Sequence, residues 1–502
     1  MDTAAATATG EAGARTPAAA DGRTGRVPGR LGVPGRLGVR VAALRAPRLD
    51  PYWTAAVLFA LFATLSVQRY RTMGTISWDL GIFEQVVRSY AHLRAPVADL
   101  KGPGANILGD HFSPVLALLA PLYRLLPSPV TLLVVQAALF ALSAVPVTRC
   151  SARLLGRRAG LAVGVAYGLS WGLQRAVDFD FHEIAFALPM IAFSLEAVIG
   201  RRWTAAVCWA APLVLVKEDL GVTAAAVGVI VLIRARRAVP AAVALVLLGL
   251  AATALTLGVI IPAFNGTGSY DYWTKLSGDG GPAPLIPVGT AVRTLLWILL
   301  PTTGLLALRS PLLLAAVPTI GWRFVSHDDH YWGTDWHYSA VLMPVVFLAL
   351  ADVLPRFRVS ARPWLRSYAA HLPAAALAAA LALTTTLPLA RLTEADTYRA
   401  DPSVAQAEAL LGRIPDGATV EADVRPLSRL TGRTTVYWIG DTRGIAPDYV
   451  AVQLRDGRTT PQALADAGHR HPGAVYVPDG EAGGLTLLKR ATKATTDSTT
   501  KN

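Results

Sequence analysis

The sequence predicts an all-α polytopic membrane bundle of about eleven transmembrane helices, with a small extracytoplasmic α/β domain at its C-terminal end. Of the 502 residues, 53% are hydrophobic and only 16% are charged, which is too apolar for an ordinary soluble protein. The apolar residues also form long uncharged runs, such as 128–148 and 238–262. Each run can cross the roughly 30 Å hydrocarbon layer as a helix, and a helix satisfies the backbone hydrogen bonds that lipid cannot.

The positions of the arginines predict the topology. Eleven spans place every arginine cluster that flanks a span on one side, where the positive-inside rule expects the cytoplasm. The N-terminus is then cytoplasmic and the C-terminal domain extracytoplasmic. These flanking arginines account for the net charge of +13, so we predict no nucleic-acid partner. The predicted spans are 52–68, 129–148, 159–173, 184–199, 203–216, 220–233, 238–262, 285–308, 311–325, 339–354 and 369–390.

Composition divides the chain into three parts. Residues 1–50 are rich in Ala, Gly, Pro and Arg, so we expect a disordered basic cytoplasmic tail. Residues 51–390 hold the spans and a large first outer loop, 69–113. Residues 391–502 contain no span and show the patterns of a small α/β domain with a disordered end. The predicted strands there are 418–422, 434–439, 449–454 and 474–477, and the predicted helices are 403–411 and 461–467.

Two apolar stretches do not fit a simple span. Residues 115–126 are interrupted by a proline and an arginine, which favours an interfacial or re-entrant helix. Residues 203–216 and 220–233 have 14 residues each, and 14 helical residues rise only about 21 Å. The turn 217–219 between them is therefore expected below the outer surface, in a protein-lined cavity where ionisable groups are functional candidates. A turn stabilised by its own ion pair is the alternative.

Five polar clusters are predicted on the extracytoplasmic side: 78–85, 109–114, 178–183, 217–219 and 327–338. We predict that they assemble one membrane-embedded active site. The candidate catalytic residues are Asp79 and Glu84. The candidate substrate-binding residues are Asp110, His111, Asp178, Asp180, His182, Glu183, Lys217, Glu218, Asp219, Trp336, His337 and Tyr338.

Asp79 and Glu84 are framed by aromatic residues next to the first predicted span. A carboxylate in this position can act as a general base toward a sugar hydroxyl or bind a divalent cation. The structural alternative is that Asp79 caps the free amides of a helix N-terminus. On a helix, the two carboxylates would point about 140° apart.

The segment 178–183 alternates acidic and aromatic residues before a histidine. In an extended segment, Asp178, Asp180 and His182 would share one side, which suits a metal or a phosphate-bearing headgroup. The spacing is not that of a zinc site and no cysteine contributes, so phosphate recognition is favoured over a permanent metal. If a divalent cation binds, its expected ligands are Asp79, Asp180 and His182.

Residues 327–338 combine three histidines, three aspartates and two tryptophans at a span boundary. Tryptophan and tyrosine are expected there as membrane anchors alone, but anchoring does not account for six ionisable residues. Aromatic faces beside carboxylates also hold sugars. This cluster therefore predicts a sugar-binding platform, and Arg323, just before it, is a candidate phosphate ligand.

These motifs, in this order, resemble an uncharacterised bacterial membrane family, number 2079 among the domains of unknown function. The resemblance covers roughly residues 70–480 and implies no activity. The matching segments are Trp78-Asp79-Leu80-Gly81-Ile82-Phe83-Glu84-Gln85, His111-Phe112-Ser113-Pro114, Phe179-Asp180-Phe181-His182-Glu183, Lys217-Glu218-Asp219 and His337-Tyr338.

The predicted layout is also similar to that of the GT-C glycosyltransferase superfamily, whose members take a sugar from a polyprenyl-phosphate donor. The shared features are the cytoplasmic N-terminus, the number of spans, an acidic residue in a long first outer loop and an outer C-terminal domain. The resemblance implies that Asp79 is the base or a metal ligand. Many such enzymes have two adjoining acidic residues there, whereas this chain has Asp79 and Glu84.

The resemblance implies a glycosyltransferase-like membrane protein that moves a sugar from a polyprenyl-phosphate donor to a cell-envelope acceptor on the outer face. Two alternatives remain open. A transporter or flippase of a lipid-linked intermediate would need polar groups in both halves of the bundle, whereas the predicted clusters are one-sided. A non-catalytic scaffold for envelope assembly would tolerate single substitutions at Asp79 or His182.

Overall fold

The computed structural model describes residues 46–75, 78–273 and 285–491. The predicted disordered tail lies outside these ranges up to residue 45, and the predicted disordered end lies outside them after residue 491.

The first 400 residues, where described, are mainly helical. The α-helices are α1 (Asp50–Arg71), α2 (Asp79–Ala91), α3 (Ala120–Leu125), α4 (Pro129–Leu155), α5 (Arg157–Gly168), α6 (Trp171–Asp178), α7 (Ala187–Ile199), α8 (Trp203–Ala210), α9 (Leu220–Ala235), α10 (Pro240–Leu255), α11 (Ile261–Phe264), α12 (Val288–Thr303), α13 (Val317–Val325), α14 (Leu342–Phe357) and α15 (Pro363–Thr384). Short 3₁₀ helices extend or connect them at Pro47–Leu49, Asp99–Lys101, Ile107–Gly109, Pro114–Leu119, Glu183–Phe186, Ala211–Leu215, Asp271–Trp273, Leu306–Arg309, Pro311–Ala316, Asp329–Tyr331, His337–Ser339, Pro388–Thr393 and Ala395–Tyr398. A π-helical turn, Thr256–Ile260, joins α10 to α11.

Five helical segments of the described chain are long and apolar enough to cross a membrane, and shorter apolar helices accompany them. The long segments are Pro47–Arg71, Pro129–Leu155, Pro240–Phe264, His337–Phe357 and Pro363–Thr384. The shorter ones are Pro114–Leu125, Trp203–Leu215, Leu220–Ala235, Val288–Thr303 and Pro311–Val325. The predicted helical membrane bundle is thereby confirmed, and every predicted span coincides with one or more helices. The count of eleven crossings stays a prediction.

Helices α9 and α10 pack closely because glycines face each other. A β-carbon on Gly221 would lie 2.6 Å from the carbonyl oxygen of Gly249, and one on Gly249 would lie 2.2 Å from that of Gly221. Small residues allow such approach where lipid provides no hydrophobic drive for helix association. The contact also anchors the turn before α9, since Thr253 donates a hydrogen bond to the Glu218 carbonyl at 3.0 Å.

Residues 114–125 form a 3₁₀ helix followed by α3. Leu118 and Leu125 are 69% and 78% exposed, whereas Tyr123 is buried. A short helix with one apolar face outward and another packed on protein fits the predicted interfacial helix.

The C-terminal part contains a five-stranded sheet with helices, as expected for the predicted small α/β domain. The strands are β1 (Thr419–Ala422), β2 (Thr435–Trp438), β3 (Tyr449–Gln453), β4 (Tyr476–Ala482) and β5 (Leu485–Arg490), in the order β2-β1-β3-β5-β4. The helices there are α16 (Pro402–Leu411), α17 (Val424–Leu427) and α18 (Thr460–Arg470). Strand β1 pairs in parallel with β2 and β3, and β5 runs antiparallel to β3 and β4. Strand β5 was not predicted.

The sheet domain packs on α2, the helix of the first outer loop. Gln85 donates to the Val436 carbonyl at 3.0 Å, and Arg88 donates to the Thr434 carbonyl at 3.0 Å. The rings of Trp78 and Trp438 lie 4.9 Å apart. Since buried residues of both parts form one hydrophobic core, the C-terminal domain fixes the helix that carries Asp79.

Candidate functional site

A cavity of about 490 Å³ lies where the five predicted polar clusters meet. Each cluster contributes side chains to its wall, although the clusters are separated by up to about 250 residues in sequence. The predicted residues that line it are Asp79, Asp110, His111, His182, Glu183, Lys217, Glu218, Asp219, Trp336, His337 and Tyr338.

Three predicted site residues do not line the cavity. Glu84 is completely buried against the C-terminal domain, where it accepts hydrogen bonds from Tyr123, at 2.8 Å, and from Thr431. Asp178 forms ion pairs with Arg69 and, at 3.1 Å, with Arg391. Asp180 is buried as well.

The prediction that residues 178–183 form an extended segment is also wrong. Asp178 is the last residue of α6, and Asp180 has a φ of 63°. The chain therefore turns at Asp180, in the left-handed region that is uncommon for residues other than glycine. Because of this turn, Asp178, Asp180 and His182 do not share one face.

Asp79 and His182 form the central acid–base pair of the cavity. Asp79 is the first residue of α2, and its Oδ2 lies 3.3 Å from Nε2 of His182. The Asp79 side chain is 23% exposed and that of His182 6%. An imidazole in this position can orient the carboxylate, and the carboxylate remains accessible to a substrate.

His182 stacks on His337, which comes from the last polar cluster. Their ring centroids lie 3.7 Å apart, and Phe179 lies 5.2 Å from the first ring and 5.0 Å from the second. Within the described residues, Nδ1 of both imidazoles is buried without a hydrogen-bond partner. The stack joins the 178–183 turn to the loop before α14.

Gln136 of α4 positions His182, and the sequence analysis missed it. Its amide oxygen accepts the His182 backbone N–H at 2.9 Å, and its amide nitrogen donates to the Asp180 carbonyl at 2.5 Å. Gln136 is 1% exposed, so both bonds lie in the protein interior, where unpaired polar groups are costly. A lone amide in an otherwise apolar span was the available signal.

Two lysines bring positive charge to the cavity. Lys217 Nζ lies 3.2 Å from Glu183 Oε1, and Lys101 Nζ lies 3.2 Å from Asp110 Oδ1. Lys101 was not predicted, since it lies in the first outer loop away from the recognised motifs. Burial lowers the pKa of Lys217, but Glu183 and its two acidic neighbours raise it well above the usual value. Lys217 is therefore charged and available to an anion.

Glu218 connects three segments of the wall. Its carboxylate lies 2.8 Å from Nδ1 of His111 and accepts hydrogen bonds from the Phe112 N–H at 3.2 Å and the Tyr270 hydroxyl at 3.1 Å. Burial opposes ionisation, yet His111 and Lys217 lower the Glu218 pKa to about 2. Burial likewise lowers the pKa of His111, but Glu218 outweighs it and raises the value. Both shifts favour the ion-paired form of Glu218 and His111.

Asp219 is the carboxyl group of the 217–219 turn whose pKa is raised. Burial raises its pKa to about 6, and the nearby Lys217 charge offsets only part of this effect. Its Oδ1 is buried and has no hydrogen-bond partner within the described chain. The structural alternative was an ion pair within this turn; in the described residues the pairs instead join Lys217 to Glu183 and Glu218 to His111, and all four side chains line the cavity.

Aromatic rings cover much of the remaining wall. Trp336 packs 4.9 Å from Phe179, and Tyr272 lies 4.7 Å from the His111 ring. The loop before α14 is held by Arg323, which donates to the carbonyls of Tyr331 at 2.8 Å and Gly333 at 2.6 Å. Arg323 is 1% exposed and is not among the cavity-lining residues, so it supports the platform and does not contact a ligand there.

The predicted metal ligands do not form one cluster. Asp79 and His182 are adjacent, but Asp180 is not part of the cavity wall. In the described ranges, the acidic and histidine side chains whose ligand atoms converge within 4.8 Å are Asp328, Asp329 and His330, at the exposed rim. The residues present do not fit the expected three-ligand site, so no metal enters the proposed chemistry.

Glu84 makes stability depend on pH. Burial raises its pKa to about 7, and the hydrogen bonds from Thr431 and Tyr123 offset only part of this shift. Because the folded pKa lies above the unfolded value, folding is favoured while Glu84 is protonated. This stabilisation of the folded state is fully present below about pH 4.5 and is lost as the pH rises through about 7. The loss amounts to about 3 kcal/mol at pH 8.

We therefore expect Glu84→Gln to raise the thermal unfolding midpoint at pH 8 and to leave it nearly unchanged at about pH 5. The amide is uncharged, and both hydroxyl partners can rotate to pair with it. The measurement is thermal unfolding in mild detergent across this pH range. Glu408→Gln, at a partly exposed carboxylate paired with Arg429 at 3.1 Å, is the control. Equal pH profiles for wild type and Glu84→Gln would contradict a buried, protonated Glu84.

The comparisons with known proteins agree with this architecture. Residues 69–467 match the family described as "Predicted membrane protein (DUF2079)". The chain belongs to this family. No curated protein matches the chain. The matched residues include every cavity-lining residue named above, so the site lies within the part that defines this DUF2079 member.

Among solved structures, the fold is similar to that of ArnT from Cupriavidus metallidurans, a crystal structure with bound undecaprenyl phosphate. The TM-score is 0.56 at 12% identity, and the similarity covers 88% of this chain and 98% of ArnT. At this identity the likeness concerns the fold alone. The fold that the sequence resemblance implied is therefore supported, whereas the number of spans and their orientation stay predictions.

Proposed function

We propose that this protein is a membrane glycosyltransferase that moves a sugar from a polyprenyl-phosphate donor to a hydroxyl group of a cell-envelope acceptor. The observation that carries the proposal is the accessible Asp79–His182 pair in a cavity that also holds two lysines and an aromatic wall. The ArnT structure, which shares the fold, contains undecaprenyl phosphate. That ligand supports a polyprenyl phosphate as the donor carrier.

Lys217 and Lys101 are the proposed ligands of the donor phosphate. Both are partly exposed cations, with side-chain exposures of 15% and 22%, and each is already paired with one carboxylate. An ammonium group has three N–H donors, so each lysine can bind a phosphate oxygen and keep its carboxylate partner. His111, whose protonated form is favoured by Glu218, lies on the same wall.

Asp79 is the proposed general base. As the acceptor hydroxyl attacks the anomeric carbon, its proton passes to the Asp79 carboxylate and a new carbon–oxygen bond forms. The bond from the anomeric carbon to the phosphate oxygen breaks, and its electron pair leaves with the phosphate. One displacement at that carbon inverts its configuration. His182 orients Asp79 throughout, and Lys217 stabilises the charge on the departing phosphate.

The aromatic wall is the proposed sugar platform. Trp336 and Tyr338 lie beside the stacked histidines, so a sugar ring can pack on an apolar face while its hydroxyl groups reach nearby carboxylates.

The experiment that tests this function measures turnover of the reconstituted protein. Purified protein is incubated with polyprenyl-phosphate sugars and membrane extract as the acceptor source, and free polyprenyl phosphate is quantified by mass spectrometry. Release that needs both the protein and the extract supports transfer. Movement of intact donor between leaflets without release would instead favour the flippase alternative. If neither release nor movement is observed, the scaffold alternative is favoured.

The proposed reaction takes place on the outer face, with the N-terminus in the cytoplasm. We expect a reporter fused after residue 502 to read out as extracytoplasmic, because an odd number of crossings separates the two ends. Alkaline phosphatase and a fluorescent protein that matures only in the cytoplasm give opposite signals and control for each other. A cytoplasmic C-terminus would overturn the eleven-span topology.

A further inference from the structure

A second cluster of charged residues lies at the opposite end of the bundle from the cavity. Glu196 of α7 is 1% exposed, and Arg149 of α4 binds it through two hydrogen bonds of 2.8 and 2.6 Å. Arg149 follows Gln136 by 13 residues on the same helix, a rise of about 20 Å. Since Gln136 holds the cavity wall, the Glu196 cluster is separate from the cavity.

Two further arginines lie near the same carboxylate, which does not neutralise their charges. Arg153 lies 4.0 Å from Glu196 Oε1, and Arg202 lies 3.8 Å from Oε2. Arg149 already provides the two-pronged contact that a carboxylate accepts best. The side chains of Arg153 and Arg202 are 47% and 54% exposed. Three guanidinium groups around one buried carboxylate leave an excess of two positive charges facing outward.

Aromatic side chains lie beside this positive patch. Phe193 and Trp209 stack with centroids 4.6 Å apart, and the Arg149 guanidinium lies 5.8 Å from the Phe193 ring. Trp209 is 42% exposed. Phe193 lies within the apolar helix α7 and Trp209 within the apolar segment Trp203–Leu215, so these rings lie on the lipid side of the exposed arginines. The patch therefore borders both an aqueous phase and lipid tails.

We propose that Arg153 and Arg202 bind the phosphodiester headgroup of an anionic phospholipid, with its acyl chains against Phe193 and Trp209. Guanidinium groups bind phosphate oxygens through paired, charge-assisted hydrogen bonds. Basic pockets between transmembrane helices are suited to such headgroups. Glu196 holds the arginines in place and keeps the net charge of the patch moderate. This site is independent of the proposed sugar transfer.

The test is a titration of the purified full-length protein with phosphatidylglycerol or phosphatidylcholine, followed by native mass spectrometry in mild detergent. Wild type is expected to bind a first phosphatidylglycerol more tightly than phosphatidylcholine. Arg153→Gln/Arg202→Gln is expected to bind phosphatidylglycerol about 30-fold more weakly, because each of the two arginines typically contributes about fivefold to the affinity for an anionic lipid. Arg356→Gln/Arg362→Gln, which removes two exposed arginines outside the cluster, is expected to behave as wild type.

The unfolding midpoint without lipid serves to separate binding from folding. It is expected to stay unchanged in the double variant, since Arg149 keeps its bonds to Glu196. If the double variant is unstable, Arg202→Gln alone gives the same comparison with about fivefold weaker binding. Equal phosphatidylglycerol affinity in wild type and in the Arg153→Gln/Arg202→Gln or Arg202→Gln variant would overturn the proposed site. Inorganic phosphate that binds as tightly as the lipid would overturn its assignment to a phospholipid.

Discussion

Asp79→Asn is expected to lower the rate of polyprenyl-phosphate release by a factor of about 10³ or more. The amide can still accept a hydrogen bond from His182, so the local geometry is preserved, but it cannot take a proton from the acceptor hydroxyl. A positioned general base contributes about 10²–10⁴ to a rate. The measurement is the turnover assay with the reconstituted protein, at saturating donor.

Asp99→Asn is the matched control for this prediction. Asp99 lies in the same outer loop, where its carboxylate accepts a hydrogen bond from Gly104 at 2.8 Å, and it is not part of the cavity wall. We expect this variant to transfer at the wild-type rate. Membrane insertion and the unfolding midpoint should be unchanged in both variants. Wild-type turnover in Asp79→Asn would remove Asp79 from the role of base.

Lys217→Met is expected to reduce turnover at least about 100-fold and to destabilise the protein. The catalytic loss follows because a preorganised charge on the leaving phosphate disappears, and removing one such group typically costs 10²–10³ in rate. The stability loss follows because Glu183, with a side-chain exposure of 1%, keeps a buried charge without its partner. Breaking a buried ion pair in this way costs about 3–5 kcal/mol.

The double variant Lys217→Met/Glu183→Gln separates the two effects. It removes both charges, so its unfolding midpoint should return close to that of wild type, while turnover stays low. The measurements are thermal unfolding and turnover on the same preparations. Turnover that recovers together with stability would show that Lys217 acts through folding alone and does not bind the donor phosphate.

The sequence predicted the meeting of the polar clusters because topology constrains it. The positive-inside rule predicts the clusters at 109–114, 178–183 and 217–219 on one side of the membrane, and in a compact bundle the residues on one side lie close together. The position of Glu84 outside the cavity wall has a reason that is also present in the sequence. Glu84 lies five positions after Asp79 on α2, so it points about 140° away, toward the C-terminal domain.

Details that depend on packing could not be predicted. The extended interpretation of 178–183 failed because α6 continues to Asp178, and hydrogen bonds from Gln136 then hold the turn at Asp180 and His182. Lys101 lies nine residues before Asp110, outside the recognised motifs, and the conformation of the loop brings the two side chains together. Strand β5 was missed, and its pairing with β3 and β4 is a tertiary contact.

Native mass spectrometry of lipids that remain bound after purification in mild detergent tests the central claim most directly. Wild type and Asp79→Asn should both retain a polyprenyl-phosphate species, because Asp79 acts on the acceptor hydroxyl, whereas Lys217→Met/Glu183→Gln should lose it while remaining folded. The presence of bulk phospholipid alone in all three proteins would contradict a cavity built for a polyprenyl-phosphate donor.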